Sequence, residues 1–110
     1  MKWQDKKHEI LAKANWQCEY SKCHEKAIEL AHRIANTEYN ARRIQRYLRE
    51  EYGKYHSLEF VKRYYLNNEL NLAASCRIHN DYFNCANTKE FYKIVDKIVA
   101  KEDKKCITIQ

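Results

Sequence analysis

Two close pairs of side chains are the residues of this chain best suited to hold a metal ion. One pair is separated by four residues and the other by two, and their members are Cys18, Cys23, Cys76 and His79. Each pair can close a small ring around one ion, which is typical of a tetrahedral structural zinc site. The sequence therefore predicts one structural Zn²⁺ per chain. His24 and Cys85 are rival ligands, because each lies near a predicted pair.

Cysteine usage favours a metal over disulfide bonds. The chain has five cysteines, and its N-terminal residues open no hydrophobic signal segment. An odd count without such a segment is poor evidence for a disulfide framework, and Cys106 in the tail is most simply a spare thiol. No apolar run approaches the roughly 20 residues that a membrane span requires. We therefore expect a soluble, cytoplasmic protein with no membrane partner.

The positive charge of the chain is unevenly placed. The net charge is +6, and residues 33–66 hold eight Lys or Arg against four Glu. Within that range Arg42, Arg46 and Arg49 recur at helical spacing and so share one helix face. A basic face suits a polyanion, with double-stranded DNA as the first expectation. The alternative is an ordinary solvated surface helix.

Hydrophobic periodicity predicts a mostly helical α+β chain. Helices are expected over 5–14, 38–52, from Ser57 to about 65, 77–87 and 88–103, strands over 27–34 and 70–75, and a loop over 16–26. The last helix is the clearest, since its apolar residues recur at i, i+3, i+4, i+7 and i+8. The tail from Lys104 is expected to be frayed or an edge strand.

Polar residues mark the expected ends of these helices. The predicted N-caps are Asp5, Thr37, Ser57 and Thr88. Asn15 and Gly53 are the expected stops, because both residue types tolerate left-handed backbone. The residues expected to face inward are Trp3, Ile10, Leu11 and Ala14 in the first helix and Ile44, Leu48 and Tyr52 in the second.

Three segments together resemble the zinc-containing HNH endonucleases. They are Cys18-Glu-Tyr-Ser-Lys-Cys23, Glu29-Leu-Ala-His-Arg-Ile34 and Asn71-Leu-Ala-Ala-Ser-Cys-Arg-Ile-His-Asn80. The resemblance covers residues 18–84 and implies a small ββα-metal core stapled by one zinc, with flanking and inserted helices. On this interpretation residues 1–110 form a single nuclease domain. Its parts are a motif core at 16–34 and 70–87, a basic helical insertion at 35–69 and a C-terminal helix at 88–103.

The resemblance also implies an activity and three site residues. The activity is hydrolysis of DNA phosphodiester bonds with one Mg²⁺ or Mn²⁺. His32 matches the general base, Asn71 matches the Asn that braces the loop between the strands, and Asn80 matches the last motif position. The chemistry is consistent, because a neutral histidine can deprotonate water near pH 7 and oxygen ligands suit Mg²⁺.

One position departs from the family pattern. Many members place a metal-ligating residue immediately before the general base, and this chain has Ala31 there. Glu29 would point to the same side of a strand as position 31, and Asn84 would share a helix face with Asn80. Together with Asn80 they are the candidate ligands of the catalytic divalent ion. Asp81, which lies about 100° around the helix from Asn80, is a further candidate. Ala31 favours an alternative, a noncatalytic nucleic-acid-binding zinc module; a zinc-stabilised protein-interaction domain is a third interpretation.

Overall fold

The computed structural model describes residues 2–83 and 87–109, with the backbone alone at 105–109. Among these residues four α-helices and a two-stranded antiparallel sheet make a mostly helical α+β fold, as the sequence predicted. The chain divides into two compact units. Unit 1 comprises residues 2–33 and 72–83, and unit 2 comprises residues 34–71 and 87–109. No helix in the described part is long and apolar enough to cross a membrane.

Unit 1 is a helix packed on a short strand pair. Helix α1 spans Trp3–Lys13, strand β1 spans Glu29–His32 and strand β2 spans Leu72–Ser75. The strands are antiparallel, with Glu29 opposite Ser75 and His32 opposite Leu72. A 3₁₀ turn at Asn80–Phe83 follows. The buried core of this unit is small and consists of Leu11, Ala27, Leu30, Leu72 and Ala74.

Unit 2 is helical and has the larger core. Helix α2 spans Glu38–Tyr52, and the one-turn helix α3 at Leu58–Phe60 continues into a π-helical segment at Val61–Leu66. A 3₁₀ turn at Glu69–Asn71 and helix α4 at Thr88–Ile109 complete the unit. The buried residues of its hydrophobic core are Ile34, Ala41, Ile44, Leu48, Val61, Tyr65, Leu66, Phe91, Ile94, Val95, Ile98 and Val99. This core includes all five residues of the apolar repeat predicted for the last helix, which runs from Phe91 at position i to Val99 at position i+8.

Local capping fixes the ends of α2 and the start of α3 as predicted. The Thr37 hydroxyl accepts a hydrogen bond from the backbone N–H of Asn40, at 3.1 Å. The Ser57 hydroxyl accepts one from the N–H of Phe60, also at 3.1 Å. Gly53 ends α2 in left-handed backbone with φ of 63°, a conformation that costs glycine nothing.

The first helix differs from the prediction at its start. It begins at Trp3 after Lys2, whose side chain makes no capping bond, and Asp5 lies inside the first turn. There the carboxylate can still favour the helix dipole, but it is not the N-cap. Of the four residues expected to face inward, Leu11 is fully buried, whereas Trp3 is 40% exposed.

Four further expectations are wrong. Tyr52 is 39% exposed, because its phenol reaches out to a carboxylate instead of entering the core. Asn87 caps α4 in place of Thr88, since its Oδ1 accepts the Glu90 N–H at 2.8 Å. The backbone of α4 continues to Ile109, so the tail is neither frayed nor a strand there. In place of a helix over 77–87, the described residues form a turn at 77–79 and the 3₁₀ turn.

Candidate metal centre and adjoining site

The first pair of predicted ligands lies on a tight knuckle, as expected for the 16–26 loop. The backbone N–H of Cys18 donates to the Glu25 carbonyl at 3.1 Å, and that of Cys23 donates to the Tyr20 carbonyl at 3.0 Å. Lys22 has left-handed backbone, with φ of 63°. These bonds fold the loop back on itself and bring both sulfur atoms to its inner side.

Glu19 ties this knuckle to the strand that precedes the second ligand pair. Its N–H donates to the Ala74 carbonyl at 2.9 Å, and its carboxylate accepts the Ala74 N–H at 2.5 Å. Arg33 lies 3.8 Å from the same carboxylate. Because Ala74 is two residues before Cys76, this attachment sets the distance between the two ligand pairs.

The structure brings the four predicted ligands together into one cluster that could hold a metal ion, with all ligand atoms within 4.8 Å of one another. Cys23 Sγ lies 3.9 Å from Cys76 Sγ. His79 Nδ1 lies 3.3 Å from Cys76 Sγ and 3.9 Å from Cys18 Sγ. A tetrahedral zinc site with ordinary bond lengths has ligand–ligand edges of about 3.5–3.8 Å. The cluster therefore has nearly the dimensions that such an ion requires.

The cysteines of this cluster compete for ionisation. Burial opposes the thiolate of Cys76, but the backbone N–H groups of His79 and Ile78 and the neighbouring thiols lower its pKa below 9.0. The backbone at Glu25 favours the thiolate of Cys23, yet burial and the neighbouring cysteines together raise its pKa. A bound cation would remove this competition, since a coordinating thiol is deprotonated outright.

Aromatic rings pack around the histidine of the cluster. The Tyr20 ring stacks on the His79 imidazole with a centroid distance of 4.3 Å and an angle of 16°. Tyr82 and Phe83 meet Tyr20 edge-on at 5.4 and 5.8 Å. This packing fixes the plane of the imidazole and points Nδ1 at the sulfurs.

The rival ligands are not part of the cluster as described. His24 is exposed and lies outside it, because its position next to Cys23 directs its side chain away. Cys85 and Asn84 lie outside the described residues. Cys76 and His79 reach the cluster from a turn and not from a helix, which corrects the predicted geometry while keeping the predicted ligands.

Two of the predicted oxygen ligands meet beside the metal cluster. The side-chain nitrogen of Asn80 donates to Glu29 Oε2 at 3.2 Å and to Ser75 Oγ at 3.1 Å. It also lies 3.5 Å from the Leu30 carbonyl. Within the described chain the amide is thus held through its nitrogen, and its Oδ1 is the atom it can offer a cation. Ala31 is fully buried and contributes no ligand.

His32 lies at the end of β1 and next to α1. Strand alternation puts it on the same face as Leu30, whereas Glu29 and Ala31 occupy the other face. The Trp3 indole is nearly parallel to the imidazole, with an interplanar angle of 7° and a centroid distance of 6.3 Å. The predicted base and the Glu29–Asn80 pair are therefore three strand positions apart on opposite faces.

Asn71 is fully buried in unit 2 and makes three hydrogen bonds to the backbone. Its Oδ1 accepts the Ile34 N–H at 2.7 Å. Its Nδ2 donates to the carbonyls of Ile34 at 3.1 Å and Leu66 at 2.8 Å. One side chain thereby fixes the loop that leaves β1 against the segment that leads to β2.

The predicted basic face of α2 is on the solvent side of unit 2. Arg42, Arg46 and Arg49 are all exposed. Arg42 lies 3.7 Å from Glu38, one turn earlier, an exposed pair of small energetic value. Arg43 lies off this face, and its guanidinium sits 4.1 Å from the centre of the Phe91 ring.

Glu19, Tyr20 and Ser75 are site residues that the sequence analysis missed. None of them is a ligand, but each holds a predicted ligand or its strand in place. Glu19 bonds the backbone of Ala74, Tyr20 stacks on His79, and the Ser75 hydroxyl accepts a hydrogen bond from Asn80. The only signal in the sequence was that these residues lie close to Cys18 and Cys76. Closeness in sequence does not distinguish a residue that holds a ligand in place from one that makes no such contact.

The comparisons with known proteins give no family to this chain. No protein-family model, no curated protein and no solved structure matches it. The residues and geometry of the site are therefore the basis on which a function is proposed below.

Proposed function

We propose that this protein is a metal-dependent endonuclease of the HNH type that hydrolyses DNA phosphodiester bonds. The observation that carries the proposal is Asn71. The resemblance assigns it the role of bracing the loop between the strands, and its side chain makes three backbone bonds that link Ile34 and Leu66. A simple zinc knuckle has no need of a buried amide at this place, so the match supports the whole ordered motif.

The metal of the Cys3His cluster is proposed to be Zn²⁺ with a structural role. Three thiolates and one imidazole are soft or borderline ligands, and closed tetrahedral sites with this set are typical of structural zinc. Because protein side chains supply all four positions, the ion would have no open position for water. It would hold the knuckle and the turn before Asn80 in place.

The proposed reaction uses side chains that lie beyond this cluster. His32 would accept a proton from the attacking water, which a neutral imidazole can do near pH 7. Because His32 and Glu29 lie on opposite faces of β1, the scissile phosphate would have to lie across the end of that strand, between the base and the ion. Glu29 and Asn80 Oδ1 are the proposed protein ligands of a catalytic Mg²⁺ or Mn²⁺. When bound, that ion would offset the charge on the scissile phosphate and the leaving oxygen. Ser75 would hold the Asn80 amide through its nitrogen, so that the oxygen faces the cation.

The proposed substrate contact away from the reacting bond is the basic face of α2. Its three exposed arginines can each neutralise a DNA phosphate. Such contacts set position and affinity without selecting sequence. The net charge of +6 acts in the same direction.

Cleavage of supercoiled plasmid with added Mg²⁺ or Mn²⁺ tests the proposal. We expect the parent to cut and His32→Ala to lose about 10²–10⁴-fold in rate, while zinc content and DNA affinity stay unchanged. Asn80→Ala should raise the divalent-ion concentration that cleavage requires. The matched control is His24→Gln, an exposed histidine outside the cluster. Cleavage by His32→Ala at the parental rate would refute the base assignment.

One observation favours a second function, a noncatalytic zinc module that binds nucleic acid. Ala31 is buried where many HNH enzymes have a metal ligand, so this position offers the catalytic ion no side-chain oxygen. Failure of the parent to cut with either ion, combined with salt-dependent DNA binding, would select this alternative.

A further inference from the structure

A cleft of about 490 Å³ lies in unit 1 between α1 and the residues on either side of the knuckle. Its apolar lining includes Leu11, Trp16 and Ile28, and its charged lining includes Lys7, Lys26 and Asp5. The volume is within the usual range of small-ligand sites, which combine apolar walls with a few polar groups. The cleft takes no part in the metal cluster or in the proposed reaction.

Trp16 lies in the cleft with an unusual backbone. Its φ is 56°, directly after Asn15 with φ of 55°. Left-handed backbone is a genuine outlier for a bulky side chain, and such strain persists only where surrounding bonds impose it. Here the Trp16 N–H donates to the Leu11 carbonyl at 2.9 Å, and the Trp16 carbonyl accepts the Ala27 N–H at 2.8 Å.

This backbone leaves the Trp16 ring accessible instead of burying it. The residue is 36% exposed, and the His8 imidazole meets it at a steep angle with a centroid distance of 5.1 Å. Ile28, another apolar residue of the cleft, is 41% exposed. A large aromatic residue kept half exposed on strained backbone is poorly explained by core packing.

Two cations accompany these apolar surfaces. No ion pair engages Lys7 or Lys26 within the part of the chain that the structure describes. Among the cleft's lining residues the acidic one is Asp5, so the two lysines leave the cleft with a net positive charge. A ligand with a planar apolar part beside negative charge would complement both the Trp16 ring and the two lysines.

We propose that this cleft binds an unpaired nucleotide of a DNA strand, with its base stacked on Trp16 and the phosphates on its two sides contacting Lys7 and Lys26, one each. The inference rests on the proposed function, which makes a nucleic acid the substrate. Stacking on an exposed aromatic ring beside a positive groove is the usual way proteins hold single-stranded segments. The cleft would thus hold unpaired nucleotides of the substrate, a role separate from the duplex contacts proposed for the arginines of α2.

Fluorescence of Trp16 tests this directly in a Trp3→Phe background, where it is the only tryptophan left. We expect a short oligodeoxythymidylate to quench it, and an equimolar blunt duplex or thymidine monophosphate to quench it far more weakly. The double variant Lys7→Gln/Lys26→Gln should bind the oligonucleotide more weakly. Its slope of log affinity against log salt should fall by about 1.4, at roughly 0.7 per lost single-strand contact. The matched control is Lys93→Gln/Lys97→Gln, which makes the same charge change at two exposed positions of α4.

A second variant covers the case in which changing the lysines disturbs α1. Ile28→Glu puts a negative charge on an exposed residue of the cleft and should weaken oligonucleotide binding, measured with a labelled strand. Trp16→Leu should weaken it by about 5- to 150-fold, the usual contribution of one stacked base. Binding by the cleft variants equal to the α4 control would overturn the proposal. Quenching by the mononucleotide as tight as by the strand would also overturn it.

The outcome also separates this proposal from the proposed function. If plasmid cleavage is normal and the cleft variants bind like the control, the cleft assignment alone is wrong. If the parent neither cuts plasmid nor binds any nucleic acid, the proposed function fails and the cleft assignment fails with it.

Discussion

Removing the metal should unfold unit 1 while unit 2 keeps its helices. Three leucines, Leu11, Leu30 and Leu72, supply the large side chains of the unit 1 core. Burial of three such side chains contributes about 5–9 kcal/mol, whereas structural zinc contributes about 10–16 kcal/mol in small zinc domains. The metal is therefore expected to stabilise unit 1 more than its apolar core does. Unit 2 has twelve buried core residues and no member of the metal cluster.

The size of the expected signal follows from helix lengths. Helix α1 has 11 residues, against 15 in α2 and 22 in α4, so chelation should remove about a fifth of the helical circular dichroism. Amide hydrogen exchange should become fast in residues 2–33 and 72–83 and stay slow in the core positions of α2 and α4. Elemental analysis should find about one zinc per chain before chelation.

Cys76→Ser should reproduce the effect of chelation, because it removes a ligand at the centre of the cluster. The matched control is Cys106→Ser, which makes the same substitution at a cysteine outside the predicted ligand pairs. Metal-free protein with an unchanged melting curve and unchanged hydrogen exchange would show that the metal does not stabilise unit 1. Loss of all helical signal in a single step would also contradict the prediction, since that would make the stability of unit 2 depend on the metal.

Three further predictions concern unit 2. Asn71→Ala leaves three buried backbone groups without a hydrogen-bond partner and should lower the free energy of unfolding in urea by about 3–5 kcal/mol. The exposed control Asn36→Ala should lower it by less than about 0.5 kcal/mol. The hydrogen bond to Asp96, followed by burial, raises the pKa of Tyr52 from 10.0 to about 12. Because the folded state holds this proton more tightly, the free energy of unfolding should be constant below pH 10 and decrease as the pH rises from 10 towards 12. Asp96→Asn should make that decrease smaller. Replacing the three arginines of the α2 face by Ala should reduce the slope of log affinity for duplex DNA against log salt concentration by up to about 2.7. A slope equal to the parental one would show that these arginines do not contact DNA.

The parts of the fold that the sequence predicted are those set by local chemistry. Thr37 and Ser57 cap the following helices because a hydroxyl three residues before a free N–H needs no distant partner. Gly53 ends α2 because glycine adopts left-handed backbone at no steric cost, which is a property of the residue itself. The apolar repeat of α4 faces the core because spacing by itself defines a helix face.

The parts that the sequence could not predict depend on competition between neighbours or on distant contacts. Asn87 and Thr88 are adjacent capping residues, and only the folded chain shows that the Asn87 amide reaches the Glu90 N–H. The π-helical segment at 61–66 has no known pattern that separates it from an α-helix. Tyr52 has helical spacing for the core, yet a hydrogen bond to Asp96, 44 residues away, holds it at the surface.

The metal cluster shows why ligand identity was predictable while ligand geometry was not. Two close pairs of Cys or His ligands are typical of a structural metal site, so residue type and spacing were enough to identify Cys18, Cys23, Cys76 and His79. The spacing of Cys76 and His79 fits both a helical turn and the tight turn that is observed, because either brings residues three apart together. Where the chain goes after His79 depends on what Asn80 binds. Its amide contacts Glu29 and Ser75, one on each strand, and those contacts keep the residue against the sheet end. The same contacts hold Asn80 where its 3₁₀ turn begins, and these pairings between distant segments have no pattern in the sequence.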